Sequence, residues 1–299
     1  MMSNKTRMKS NGFLASVLAG MVLFASMPVA AQQAYPTADA AATALVDAIA
    51  KNDHAALRVV LGNDWKNFIP TENIEDKDVD AFLKAWAEAH KIVSNSAQTA
   101  HLAVGTQEWV LPIPLIEKQG AWRFDTLAAA DEIRTRRIGR NELATMQAVL
   151  AYYDAQKEYA RVDRNGDGAL EYAQQIISTP GKQNGLYWAA LEGEEPSPLG
   201  PLYGEDKQGY DYEGYQYRIL TAQGSSAPGG AYNYIINGRL VAGFALVAWP
   251  AEYDESGVMS FIVSHDGVIY EKDLGTESDA VASAMTLFNP DSSWHKVNP

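Results

Sequence analysis

Cysteine is absent from the chain. That excludes a disulfide framework, a thiolate nucleophile and any thiolate metal centre. Histidine is scarce: His54, His90, His101, His265 and His295 show no metal-ligand spacing, and no H-E-x-x-H occurs. Positive charge is short as well, with 24 Lys and Arg against 37 Asp and Glu, a net −13. A surface of that sign repels nucleic acid and anionic lipid headgroups. Two familiar catalytic templates are also missing. "GSSAPG" lacks the Gly-x-Ser-x-Gly of a nucleophile elbow, and "STPGK" lacks the glycine spacing of a phosphate loop.

What is present begins with an export signal. Lys5, Arg7 and Lys9 precede an apolar run, Phe13 to Phe24, and "SMPVAAQ" then places Val29 and Ala31 where a signal peptidase reads small side chains. The run is shorter than the roughly 20 residues a membrane span needs. The reading is therefore a signal peptide over 1–31, a periplasmic or secreted mature protein, and no membrane insertion once the signal is cut. The segment removed holds three basic and no acidic groups, so the mature chain carries 21 positive against 37 negative side chains. A chain this long and without disulfides must rely on its apolar core for stability.

Apolar periodicity divides the remainder in two, 32–138 and 139–299, within an α+β class. In the first part, Ala40 to Leu61 reads as two short helices around "KND", and Val79 to His90 as a third. "AHLAV", "EWVLPIPLI" and "AWRFDT" read as strands, the last two joined at Lys118–Gly120. Pro112 and Pro114 lie two apart inside the middle strand, so both missing donors face one side, which predicts an edge strand. The element order resembles the curved helix-on-sheet cone of nuclear-transport-factor-like and cystatin-like domains. A long helix, Ala128 to Tyr159, runs across the boundary, with a break expected at Gly139. Leu143, Met146, Leu150 and Tyr153 form one face of it, and Ala144, Ala148, Ala151 and Ala155 a close-packing stripe. Strands follow in "YQYRIL", "AYNYII", "RLVAGFALVAW", "VMSFIVS" and "VIYEKD", with hairpin turns at Asn237-Gly238 and Asp266-Gly267, both of which tolerate positive φ.

Segments such as "WVLPIPLIEKQGAWRFDT", "STPGKQNGLYW", "YRILTAQGSSAPGGAYNYIINGR" and "GFALVAWPAEYDESGVMSFIVSHDGVIYEKDLG" identify a resemblance to bacterial exported proteins of domain of unknown function family 2950. No activity comes with that resemblance. The long helix followed by an antiparallel sheet also resembles the soluble part of pilin-like proteins. Here, however, the helix lies behind another domain and lacks the apolar N-terminal half through which pilins polymerise.

One stretch resembles a chemical motif: "DRNGDGALEYA", Asp163 to Ala173. As a calcium loop it offers Asp163, Asn165 and Asp167 at positions 1, 3 and 5, Gly168 at the sharp turn, the Ala169 carbonyl at 7 and Glu171 at 9. Position 12 holds Gln174, one neutral oxygen in place of a bidentate carboxylate. The competing reading is a turn in which Asn165-Gly166 and Asp167-Gly168 supply positive φ and Asp163 caps backbone donors. Calcium, if bound, would be structural.

Two other clusters carry paired readings. Arg134, Arg136, Arg137 and Arg140 suit an anionic ligand or a solvated helix face paired with nearby acids. Tyr187, Trp188, Tyr203, Tyr210, Tyr212, Tyr215 and Tyr217 suit sugar stacking or the anchoring of a long loop. The leading function is a soluble periplasmic binding or assembly module for an envelope protein or glycan. Its rivals are an envelope-polymer hydrolase working through carboxylates and a purely structural partner of another envelope protein.

Overall fold

The computed structural model describes residues 32–69, 74–190, 193–200 and 212–298. The expected signal peptide lies outside the described residues. Chain order begins with α1 (Ala38–Ala50) and α2 (His54–Leu61), set by sequence at both starts. The Thr37 hydroxyl caps α1 by accepting from the Ala40 N–H, and the Asp53 carboxylate caps α2 by accepting from Ala55 and Ala56. Asn52 takes the positive φ that lets the chain reverse between them. A single 3₁₀ turn at Trp65–Asn67 and then α3 (Asp76–Glu88) follow.

The first sheet is antiparallel and runs β1 (His90–Ser94), β2 (Thr99–Val104), β4 (Leu115–Lys118), β5 (Ala121–Phe124), with β3 (Trp109–Val110) pairing on β2. Two expectations change here. The third helix stops at Glu88, and His90 opens a strand that the periodicity did not reveal. The proline segment is not an edge strand: β4 lies between β2 and β5, and the chain breaks at Pro112–Pro114 instead. Leu111 donates to the Leu102 carbonyl on the β2 side, and Asp125 donates to the Pro114 carbonyl as the chain turns into the next helix. The missing proline donors therefore fall in a gap between two short strands.

That helix, α4, spans Thr126–Tyr159 without interruption. The break expected at Gly139 does not occur. A single glycine costs a helix only about 1 kcal/mol, and packing at both ends outweighs it. Ala129 and Ile133 belong to the first core, with Leu45, Leu102, Leu115 and Phe124. Ala148, Val149, Tyr152, Ala155 and Tyr159 belong to the second. The buried stripe of the second half takes in Ala148 and Ala155 with Val149 and Tyr152. Of the predicted apolar face, Met146, Leu150 and Tyr153 pack half-buried against that core while Leu143 is 47% exposed. The boundary expected at 138/139 falls inside this shared helix.

The second sheet is an antiparallel meander in the order β6 (Tyr215–Leu220), β11 (Ala245–Pro250), β12 (Met259–Ser264), β13 (Ile269–Asp273), β15 (His295–Val297). Helix α4 packs on β11 and β12. The short helix α5 (Ser278–Ser283) also packs on β11, tied by the Trp249 indole N–H donating to Asp279. β7 (Ala222–Gln223), β8 (Tyr232–Asn233) and β14 (Leu287–Phe288) form a small third sheet, and β9 (Ile235–Ile236) pairs with β10 (Arg239–Leu240). β11 is buried at all six positions, as a strand covered on both faces must be. The Asn237-Gly238 hairpin forms as expected, with both residues at positive φ. At Asp266-Gly267 only the glycine does so. Gly267 donates to the Ser264 carbonyl, which closes a turn one residue longer than the primed kind.

Candidate functional site

The loop after α4 is held at both ends. Gln156, fully buried, reads the backbone of Ala173 twice: its carbonyl accepts from the Ala173 N–H and its amide donates to the Ala173 carbonyl. The same amide donates to the Tyr152 hydroxyl, which donates to the Ala245 carbonyl of β11. Within the loop, Asp163 accepts from Gly166 and Gly168, both at 2.8 Å. Those donors, Gly168 first, hold its carboxyl below the usual aspartate range. Asn165 accepts from the Asp167 N–H and donates to Glu171 at 3.0 Å, and Asp167 accepts from the Ala169 N–H. Gly166 and Gly168 both adopt positive φ.

The expected ligand set is therefore present in one loop, but each member has other work. Asp167 also pairs with Arg239 of β10. Gln174 donates to the Gly238 carbonyl, and the Tyr172 N–H donates to the Leu240 carbonyl, so three attachments join the loop to the β9–β10 hairpin. Among the described residues no three Asp, Glu or His side chains come together as a cation's ligands. Ala169 is fixed by its N–H, and Glu171, the carboxylate meant to close a cage, is turned to Asn165. As folded, the donors fit a turn latched to a hairpin better than a calcium cage.

The arginine cluster is engaged with acids. Arg134 lies 3.2 Å from Asp131 and near Asp254 and Glu255; Arg136 meets Glu132 at 2.7 Å and the Val110 carbonyl; Arg137 binds both the side chain and the carbonyl of Glu255. Glu142 accepts from the Val258 and Met259 N–H groups and so ties the helix to the start of β12. These contacts clip the middle of α4 to the 252–258 turn.

The aromatic loop anchors itself. Trp188 is buried and its indole donates to the Glu195 carbonyl. Arg164, only 6% exposed, stacks between the Tyr159 and Trp188 rings at 5.0 and 4.9 Å and pairs with Glu195. Tyr187 pairs with Ile177, and Tyr215 and Tyr217 are buried, Tyr215 donating to the Met259 carbonyl. Tyr212 bridges Tyr215, while Tyr203 and Tyr210 lie outside the described residues.

Two groupings escaped the sequence reading. On the first unit, α3 buries none of its residues fully, and Phe82 and Trp86, four apart, share one face. Phe82 meets Trp109 edge-on at 6.4 Å, and Trp86 stacks on His90 at 3.6 Å. Trp109 is 50% exposed, and the Lys91–Glu108 pair flanks the row. The spacing of Phe82, Trp86 and His90 was visible; its junction with Trp109 needed the sheet. The second grouping surrounds His265. Its Nε2 is 3.2 Å from the Tyr232 hydroxyl and its ring lies against Tyr234 and Phe244, with Nδ1 buried and unpartnered.

These features define an α+β protein with two cores sharing one helix, a loop docked on a hairpin, and an exposed Trp109 set against the half-buried Phe82. The match to the family described as Protein of unknown function (DUF2950) runs over residues 32–297, and the chain belongs to that family. No curated protein and no solved structure matches it. Among the described residues no helix is long and apolar enough to cross a membrane.

Proposed function

We propose that the protein is an exported, periplasmic binding module whose contact surface is the aromatic row Phe82, Trp86 and Trp109, and whose ligand is an envelope glycan. The observation that carries this reading is Trp109, half exposed on a strand edge beside Phe82; among the described residues Tyr232 is the other exposed aromatic. An indole face set beside the Lys91–Glu108 pair suits a sugar ring: the ring's C–H face lies on the aromatic, and its hydroxyls find a donor and an acceptor at the rim. The family match begins at residue 32, the first residue after the expected signal cut, which supports export. The hydrolase alternative calls for a carboxyl with a raised pKa. Asp163 and Asp291 shift the other way, held low by hydrogen bonds.

The test is a fluorescence titration of residues 32–299 with chito-oligosaccharides and with solubilised peptidoglycan. Saturable quenching that Trp109→Ala and Phe82→Ala each weaken by more than about tenfold, roughly 1.4 kcal/mol, supports the reading. Binding untouched by either substitution moves the site elsewhere. No binding to any glycan, with capture of an envelope protein through the same residues, makes the module one of assembly.

A further inference from the structure

The sequence of the 163–174 loop asks for a positive charge, and the fold supplies one from within the chain. Asp163 spends both oxygens on the Gly166 and Gly168 N–H groups, and Glu171 accepts from Asn165. Asp167 accepts from the Ala169 N–H with one oxygen, and Arg239 meets the other. Arg239 follows directly on the Asn237-Gly238 turn, whose positive-φ residues aim β10 back at the loop. Gln174 to Gly238 and Tyr172 to Leu240 fix the hairpin on either side of that pair. Both partners are partly shielded, with 38% of the Arg239 side chain and 30% of Asp167 exposed.

We infer that Arg239 is the loop's resident cation, a guanidinium in the role that a metal ion plays in loops of this sequence pattern, and that the fold is therefore independent of calcium. Extracellular calcium modules bind in the range of about 10⁻⁴ to 10⁻³ M. The arginine is delivered by its own hairpin, so its pairing does not cost the translational freedom that capture of a free ion does. Taking Asp167 would oblige calcium to displace a partner that never diffuses away. The missing carboxylate at Gln174 and the presence of Arg239 then belong together: Gln174 is free to hold the hairpin that delivers the arginine. This inference is independent of what the aromatic row binds.

Thermal melts of residues 32–299 test it, in EGTA and in calcium at about 5 mM, above the top of that affinity range. The native chain is expected to melt at one temperature in both buffers. Arg239→Gln is expected to lower the midpoint in EGTA by about 2–4 °C, and Arg239→Lys, which keeps the charge, to recover part of that loss. A calcium-dependent rise in the native midpoint overturns the inference and makes the loop a metal site. An Arg239→Gln protein that melts like the native one overturns it as well, as does Arg239→Lys behaving like Arg239→Gln.

Discussion

The two sheets of this protein meet water differently. In the first, β1 reads exposed or half-buried at every position and β5 is fully buried only at Phe124, while α3 covers the sheet without burying a single residue of its own. In the second, β11 is buried throughout and β12 at five of six positions, with α4 on one side and α5 on the other. Polar groups follow the same division. The second core encloses Gln156, Gln223, Thr145 and four tyrosine hydroxyls, and spends them on backbone groups or on one another. The first unit buries Tyr35, Trp65 and Phe124 but leaves Trp109 and the Lys91–Glu108 pair at the rim. One sheet is enclosed along its central strands and the other keeps more of itself at the surface.

That contrast is open to attack by substitution. The largest loss is expected from Gln156→Leu, which strands the N–H and C=O of Ala173 inside the second core. The cost is about 3 kcal/mol, seen as a midpoint lowered by roughly 6–10 °C. Gly185→Ala comes next: an added Cβ would sit 2.7 Å from the backbone of Ile177 and Ser178, which cannot swing aside. About 2 kcal/mol is expected, by denaturant melt. Tyr215→Phe removes only the hydrogen bond to Met259 and should cost about 1 kcal/mol.

A smaller effect depends on pH. The folded value of Asp163 lies below that of the unfolded chain, so its stabilisation is whole above a pH of about 4. It drains as pH falls through the folded value. The midpoint gap between the native chain and Asp163→Asn should hold steady from neutral pH down to that point and close below it. Smallest of all, Trp109→Ala should leave stability within about 0.5 kcal/mol while weakening glycan binding. If instead it destabilises as much as Gln156→Leu, the first unit is no more forgiving than the second and the contrast fails.

Much of the fold was legible in sequence because local signals agreed with packing. The "KND" break separates two helices, Asn237-Gly238 marks a hairpin, and the apolar runs around Leu246 and Ile262 mark strands. The misreadings came where a long-range partner outweighed a local preference. Gly139 argued for a break, but a helix packed into a core at each end tolerates one glycine. Pro112 and Pro114 argued for an edge, but a gap between two short strands serves equally well. At the loop, Asp163, Asn165 and Asp167 were legible as a cluster, and Asp163 does cap backbone donors. Its decisive partner was not: Arg239 lies 72 positions beyond Asp167 and reaches it only because the hairpin folds back. Trp109 joins Phe82 through the sheet in the same way, and no spacing rule connects them.

The continuity of α4 has a mechanical consequence. Thirty-four helical residues at 1.5 Å each make a stiff member on the order of 50 Å long, and both cores are laid onto it. The salt links from Arg134 and Arg137 to the 252–258 turn brace it at mid-length. Domains joined by a loop can swing; these are mounted on a single strut, and the interval between them is a constant. The first sheet and the latched loop are spaced by one helix rather than by a linker.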